Sequence, residues 1–143
     1  MSKPISQRIR LLVFYRAKGC CEYCMFPASH CAHTFAAEHI IPLFKGGSNA
    51  FLNLALACWW CNSHKWSKTE AIDPVSQIVV SLFHPRQDDW KEHFAWSEDF
   101  TRILGLTPKG RATIGALQLN AENMVNLRKA LVSIDVFPAE HSM

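Results

Sequence analysis

AEHIIPLFKGGSNAFLNLALACWWCNSHKW, residues 37–66, sets the organisation of the chain. It places Glu38 beside His39, breaks the chain at Pro42 and Gly46-Gly47, and closes on Asn53, a cysteine pair and Asn62. TFAAEHII (34–41) reads as one strand and ALAC (55–58) as its return. SNAFLNL (48–54) offers Ser48 or Asn49 as the N-cap of a short helix inside the long loop between them. Helical character resumes from Asn62 through Lys68, which gives a strand, strand, helix order. Adjacent residues on a regular strand point to opposite sides, so Glu38 and His39 share one site only if the strand end is distorted or a cation bridges the gap.

Outward from this segment, GCCEYC (19–24) ends a helix at Gly19 and opens a cysteine turn, after which MFPASHCAH (25–33) reads as loop. The preceding ISQRIRLLVFYRAK (5–18) sets Ile5, Ile9, Leu12 and Val13 on one helical face, with Arg8 and Arg10 away from it. On the other side, IDP (72–74) is a turn, QIVVSLF (77–83) a strand, and EHFAWS (92–97) with TRILGL (101–106) a second hairpin. TPKGRATIGALQLN (107–120) begins a helix with a Thr cap and Pro in its first turn, and AENMVNLRKALVSI (121–134) carries Met124, Leu127 and Leu131 at helical spacing. No repeat, low-complexity run or Gly/Ser/Pro linker divides the chain. The expectation is one α+β domain over 1–143, with a core of about 19–68 and a C-terminal extension of about 72–135.

With 143 residues, 49% of them hydrophobic, the chain is long enough to bury a core. Fifteen Lys and Arg against 12 Asp and Glu permit a polyanionic partner, but no histone-type basic tail is present. No apolar run approaches the roughly 20 residues needed to cross a bilayer, and MSKPISQRIR lacks the apolar stretch of a signal peptide. The expected location is the cytoplasm, where six cysteines point to metal binding rather than disulfides.

Cys21-x2-Cys24 and Cys58-x2-Cys61 form two such pairs, with 33 residues (25–57) between them. Four thiolates satisfy tetrahedral Zn²⁺ with no open position, the arrangement of a structural site; buried free thiols are the alternative. Such binding is worth on the order of 10 kcal/mol, comparable to the stability of a whole domain. Cys20 fits the first pair less well at x3 spacing, and Cys31 reads as a spare thiol.

A closed zinc site leaves Glu38, His39, Asn53 and Asn62 unexplained. Hydrolysis of a phosphodiester needs a base for water and a cation to neutralise charge on the phosphate and leaving oxygen. A carboxylate with an amide oxygen is a hard-ligand set suited to Mg²⁺ or Mn²⁺, unlike the sulfur cage beside it.

CEYC (21–24), EHIIP (38–42), GGSNAFLNLALAC (46–58) and CNSHK (61–65) together resemble the HNH endonucleases, the ββα-metal nucleases, in their zinc-knuckle form. LFHPR (82–86), DDWKEHF (88–94) and GLTPKGRATI (105–114) further resemble a bacterial subgroup, so the likeness spans most of residues 12–131. The resemblance implies a zinc-stapled ββα-metal core with an N-terminal helix, an additional hairpin and C-terminal helices, acting on DNA, with RNA as a further possibility. His39 matches the general base, Glu38 the metal-binding acid, and Asn53 the central asparagine that ties the loop to the hairpin and orients the base. Asn62 matches the final position and completes the divalent-ion site with Glu38. His64 matches no defining position and is a secondary candidate for phosphate contact, an exposed helix residue being the alternative. Trp66 stands where glycine is common. His84, Arg86 and His93 belong to the subgroup likeness without an assigned role, lining a groove being one possibility. Arg8, Arg10, Arg16, Lys18, Lys65 and Lys68 are candidates for a phosphate-facing patch, and Trp59 and Trp60 for base stacking or packing. The rival reading is a zinc-dependent nucleic-acid-binding module without turnover.

Overall fold

A computed structural model describes residues 4–143. The first helix, α1 (Gln7–Arg16), starts where the Ser6 hydroxyl accepts from the Ile9 N–H at 3.2 Å. Its inward stripe is Ile5, Ile9, Val13 and Ala17, an i, i+4 row that packs on Leu54 and Leu56. Leu12, expected on that stripe, is 44% exposed. It lies about 100° around the helix from Val13, and the stripe is only one residue wide.

The hairpin pairs β1 (Ala36–His39) antiparallel with β2 (Leu54–Ala57), with Glu38 opposite Ala55 and His39 opposite Leu54. All four β2 residues are buried, since both faces of the strand are covered. Leu54 and Leu56 meet α1, while Ala55 and Ala57 join the cluster that holds the four cysteines. Small side chains on that second face let the following helix approach closely. This helix, α2 (Trp59–Lys65), begins three residues earlier than the sequence suggested, because the Cys58 thiol caps it by accepting from the Cys61 N–H.

Beyond α2 a hairpin unforeseen in the sequence pairs β3 (Glu70–Ile72) with β4 (Val79–Ser81), and the strand expected over 77–83 is only this short. Helix α3 (Trp90–His93) leads into the anticipated hairpin of β5 (Phe94–Trp96) and β6 (Ile103–Gly105). Helix α4 (Pro108–Leu117) is capped by Thr107, whose hydroxyl accepts from the Gly110 N–H at 3.0 Å, with Pro at its first position. Helix α5 (Glu122–Ser133) buries Met124 and Leu131 and half-buries Leu127. One apolar cluster runs from Cys21 through Phe83, Trp90 and Phe94 to Phe137. The architecture is α+β, with the β1–β2–α2 unit at its centre. Among the described residues no helix is long and apolar enough to cross a membrane.

Candidate active site and metal centre

Cys21, Cys24, Cys58 and Cys61 bring their sulfurs within 4.8 Å of one another, all buried. The first pair sits in a tight turn closed by Cys21 N–H to Phe26 O and Met25 N–H to Cys21 O, both at 2.9 Å. The second pair spans the first turn of α2. The Cys24 and Cys58 sulfurs are 3.6 Å apart. A tetrahedron with Zn–S bonds of about 2.3 Å has an edge of about 3.8 Å, so the cage has the size of a zinc tetrathiolate. Burial pushes the Cys24 and Cys61 thiols well up, while hydrogen bonds from neighbouring thiols hold Cys58 down. Cys20 and Cys31 stay outside the cage.

A second observation fits a charged cage. Arg128, on α5, is fully buried and donates only to neutral oxygens: Thr101 O at 3.1 Å, Asn120 Oδ1 at 3.3 Å and Leu119 O at 2.6 Å. Its Nε finds no acceptor among the described residues. Burial lowers its affinity for the proton, and negative charge on Cys24, Cys61 and Cys58 restores part of it. A zinc tetrathiolate carries a formal dianionic charge, which is what an unpaired buried guanidinium requires. The extension also grips the knuckle directly, through an Arg86–Glu22 ion pair and the Trp90 indole N–H donating to Tyr23 O at 3.0 Å. Arg86, together with His84, which accepts from the Arg86 N–H at 3.1 Å, and His93, bonded to Thr107, is occupied in this brace. Of these three, Arg86 joins the extension to the knuckle, and His84 and His93 order the extension itself.

Around His39 the loop is organised by amides. Asn53 accepts from the Ile41 N–H at 2.9 Å and donates to Ile41 O at 3.0 Å and Ser48 O at 2.8 Å, which ties the loop to the end of β1. Gly47 passes so close to β1 that an added Cβ would lie 1.8 Å from Ile41 O. Ser48 and Asn49 do not cap the short helix over Phe51–Asn53, whose N-cap is Ala50. Instead Ser48 accepts from the Ala50 N–H, and Asn49 Oδ1 lies 2.6 Å from His39 Nε2. An amide oxygen only accepts, so in this contact Nε2–H is the donor, and in a neutral ring Nδ1 is then the nitrogen that keeps a lone pair. Asn53 therefore acts on the imidazole at one remove, by anchoring Ser48 next to Asn49. Nothing in the sequence marked Asn49 out from a cap residue.

Glu38 is buried, its side chain only 5% exposed, and each oxygen has a partner: the Tyr23 hydroxyl donates to one and Lys65 Nζ to the other at 3.1 Å. Lys65 is 2% exposed and spends its remaining donors on His39 O at 3.2 Å and Ile40 O at 2.9 Å. Burial raises the Glu38 carboxyl, and Lys65 and Tyr23 work against that rise. The sequence grouped Lys65 with a phosphate-facing patch. Once α2 begins at Trp59, Lys65 stands one turn past buried Cys61 on the inward face.

Consecutive residues 36–39 all border one hollow of ≈ 360 Å³, together with Asn62. The strand is regular through His39, but β1 is an edge strand and the hollow follows its unpaired side. This is how neighbours of opposite pleat reach one space. The Asn62 side-chain amide makes no hydrogen bond among the described residues and is half-buried. His64 is on the other flank of α2, stacked on Trp60 with ring centroids 4.1 Å apart and its Nδ1–H donating to Trp60 O at 2.9 Å.

Of the basic-patch candidates Lys65 is buried, while Arg8, Arg10, Lys18 and Lys68 are exposed. Arg16 donates to Phe51 O and Leu54 O and lies 3.7 Å over the Phe51 ring, while Lys68 donates to His64 O. Of the paired tryptophans, Trp60 packs inward and donates to Leu117 O and Gln118 O, whereas Trp59 is exposed and stacks on His33.

A two-stranded hairpin, a long tied loop and a helix that begins within a four-cysteine cage make up the β1–β2–α2 unit. Residues 21–68, about a third of the chain, match the model of the HNH endonuclease family, a family associated with nuclease activity on nucleic acids. No curated protein and no solved structure matches the chain.

Proposed function

We propose that this chain is a metal-dependent endonuclease that hydrolyses phosphodiester bonds in DNA. The carrying observation is the 2.6 Å contact of His39 Nε2 with Asn49 Oδ1: with Nε2–H donated there, a neutral ring has Nδ1 as the acceptor for a water at the edge of β1. In the reaction His39 Nδ1 takes a proton from water as the oxygen attacks phosphorus. Asn49 holds the ring, and Asn53 holds the loop that carries Asn49. Glu38 and Asn62 are the residues that would bind Mg²⁺ or Mn²⁺. The amide oxygen of Asn62 makes no hydrogen bond among the described residues, and each Glu38 oxygen, with one hydrogen bond made, retains a lone pair. When bound, the ion neutralises charge on the phosphate and the leaving 3′ oxygen. Lys65 and Tyr23 oppose the rise that burial imposes on the Glu38 carboxyl and fix its rotamer. The cysteine cage holds structural zinc and takes no part in the chemistry.

The test is supercoiled plasmid incubated with zinc-loaded protein and added Mg²⁺ or Mn²⁺. Nicked or linear product is expected, and the His39→Ala variant should lose it by roughly 10²–10⁴-fold while keeping zinc content and DNA binding. Equal cutting by that variant removes His39 as the base. RNA of matched sequence should be cut more slowly. The engagement of both Glu38 oxygens favours a second reading, a zinc-dependent nucleic-acid-binding module without turnover. That reading predicts DNA binding with no cleavage in either metal.

A further inference from the structure

Helix α2 ends on a conformation that its last side chain does not favour. Trp66, the C-cap, has φ 48° and ψ −111°, a region that belongs to glycine because a Cβ there crowds the backbone. Its indole is nevertheless 80% exposed. A large apolar ring displayed to water on a backbone that prefers glycine stabilises nothing within the described fold. Its placement gives the reason. Trp66 is one turn beyond Asn62 on the same side of α2, and both border the hollow that contains His39. Across that hollow stands Phe44, 77% exposed, on the loop after β1. Lys45 Nζ donates to Ser67 O at 2.8 Å and so ties the segment carrying Phe44 to the segment carrying Trp66. The same ammonium is 5.8 Å from the Phe44 ring. The one acid that lines the hollow among the described residues, Glu38, is buried against Lys65.

Two braced aromatic faces with a cation beside them and no free acid suit a π-stacking, anionic ligand. We propose that Phe44 and Trp66 stack unpaired bases of the DNA strand at the scissile phosphate, so that the substrate class is single-stranded or locally unpaired DNA rather than intact duplex. In a duplex each base face is already covered by its neighbour and is not available to a ring at the backbone. The placement of the scissile phosphate rests on the nuclease reading above. The base-stacking claim is tested by binding alone, so a protein that binds as stated but does not cut separates the two.

The experiment is fluorescence anisotropy of a labelled 20-mer, as single strand and as duplex, with zinc-loaded protein and no added Mg²⁺ or Mn²⁺. The wild type should bind the single strand on the order of tenfold more tightly. Trp66→Gly should weaken single-strand binding about tenfold, leave duplex binding within about twofold, and raise the thermal midpoint because glycine accepts the conformation. Phe44→Ala, at a fully surface position, should weaken the single strand alone in the same way. Unchanged single-strand affinity in both variants, an equal loss for both DNA forms, or a wild-type preference for duplex overturns the proposal. So does a change confined to self-association in sedimentation, which would make the two rings a contact between copies of the chain.

Discussion

The cysteine cage and the hollow beside His39 sit on the same hairpin and helix but are built by opposite means. The cage gathers four soft donors in the interior, seals them beneath the extension and balances them with the buried Arg128. The hollow lies on an open strand edge, offers hard oxygen and nitrogen donors, and is shaped by amide hydrogen bonds within one loop. The two meet in a single turn of α2, where Asn62 directly follows Cys61. Zinc in the cage would fix the phase of that helix, and the phase aims Asn62 and Trp66 at the hollow and Lys65 at Glu38. On the proposed function, stability is concentrated in one region and chemistry in the other, and α2 joins the two.

Changes in the cage should have the largest effects. Cys61→Ser, or exhaustive chelation, removes a contribution on the order of 10 kcal/mol, so far-UV circular dichroism should show loss of the cooperative unfolding transition. A cage variant that melts like the wild type would undo the division drawn here.

Next is Lys65→Met, which removes one partner of a buried ion pair and should cost about 3–5 kcal/mol by urea titration. It also predicts a pH dependence. Glu38 already has a raised carboxyl affinity from burial, and removing the ammonium raises it further. A carboxyl whose folded value exceeds its unfolded one stabilises below the unfolded value and loses that contribution as pH rises through the folded value. The variant should therefore lose stability relative to wild type as pH rises from about 4, and a gap that stays constant with pH would contradict this.

In the hollow, effects should fall on rate rather than on fold. Gly47→Ala places a Cβ against Ile41 O, so the loop must lift and withdraw Asn49 from His39. Plasmid nicking should drop toward the level of His39→Ala while zinc content is retained. Smallest is Asn49→Ala: one hydrogen bond worth about 1 kcal/mol is lost, which lowers the nicking rate by roughly fivefold and leaves the thermal midpoint near that of wild type.

Much of this was legible in the sequence because it depends on local spacing. The paired x2 cysteines, the hairpin broken at Pro42 and Gly46-Gly47, the Thr107 cap and the i, i+4 pattern of α5 all act within a few residues. What escaped depends on tertiary contacts. A lysine in CNSHK reads as a surface charge until the Cys58 cap shifts α2 forward and turns Lys65 inward. Asn49 reads as a cap until the path of Gly47 swings it onto His39. The β3–β4 hairpin is made of strands three residues long, below the length at which alternation gives a signal. Arg86 and His93 carried a likeness without a role because their partners, Glu22 and Thr107, are distant in the chain.

The account turns on which imidazole nitrogen His39 presents. Nitrogen-15 NMR of the zinc-loaded protein, with the ring in its neutral form and assigned by comparison with His39→Ala, reads this directly. A protonated Nε2 and a bare Nδ1, with that preference relaxed in Asn49→Ala, is the predicted result. A protonated Nδ1 in the wild type would leave His39 with no base at the edge of β1 and contradict the proposed chemistry.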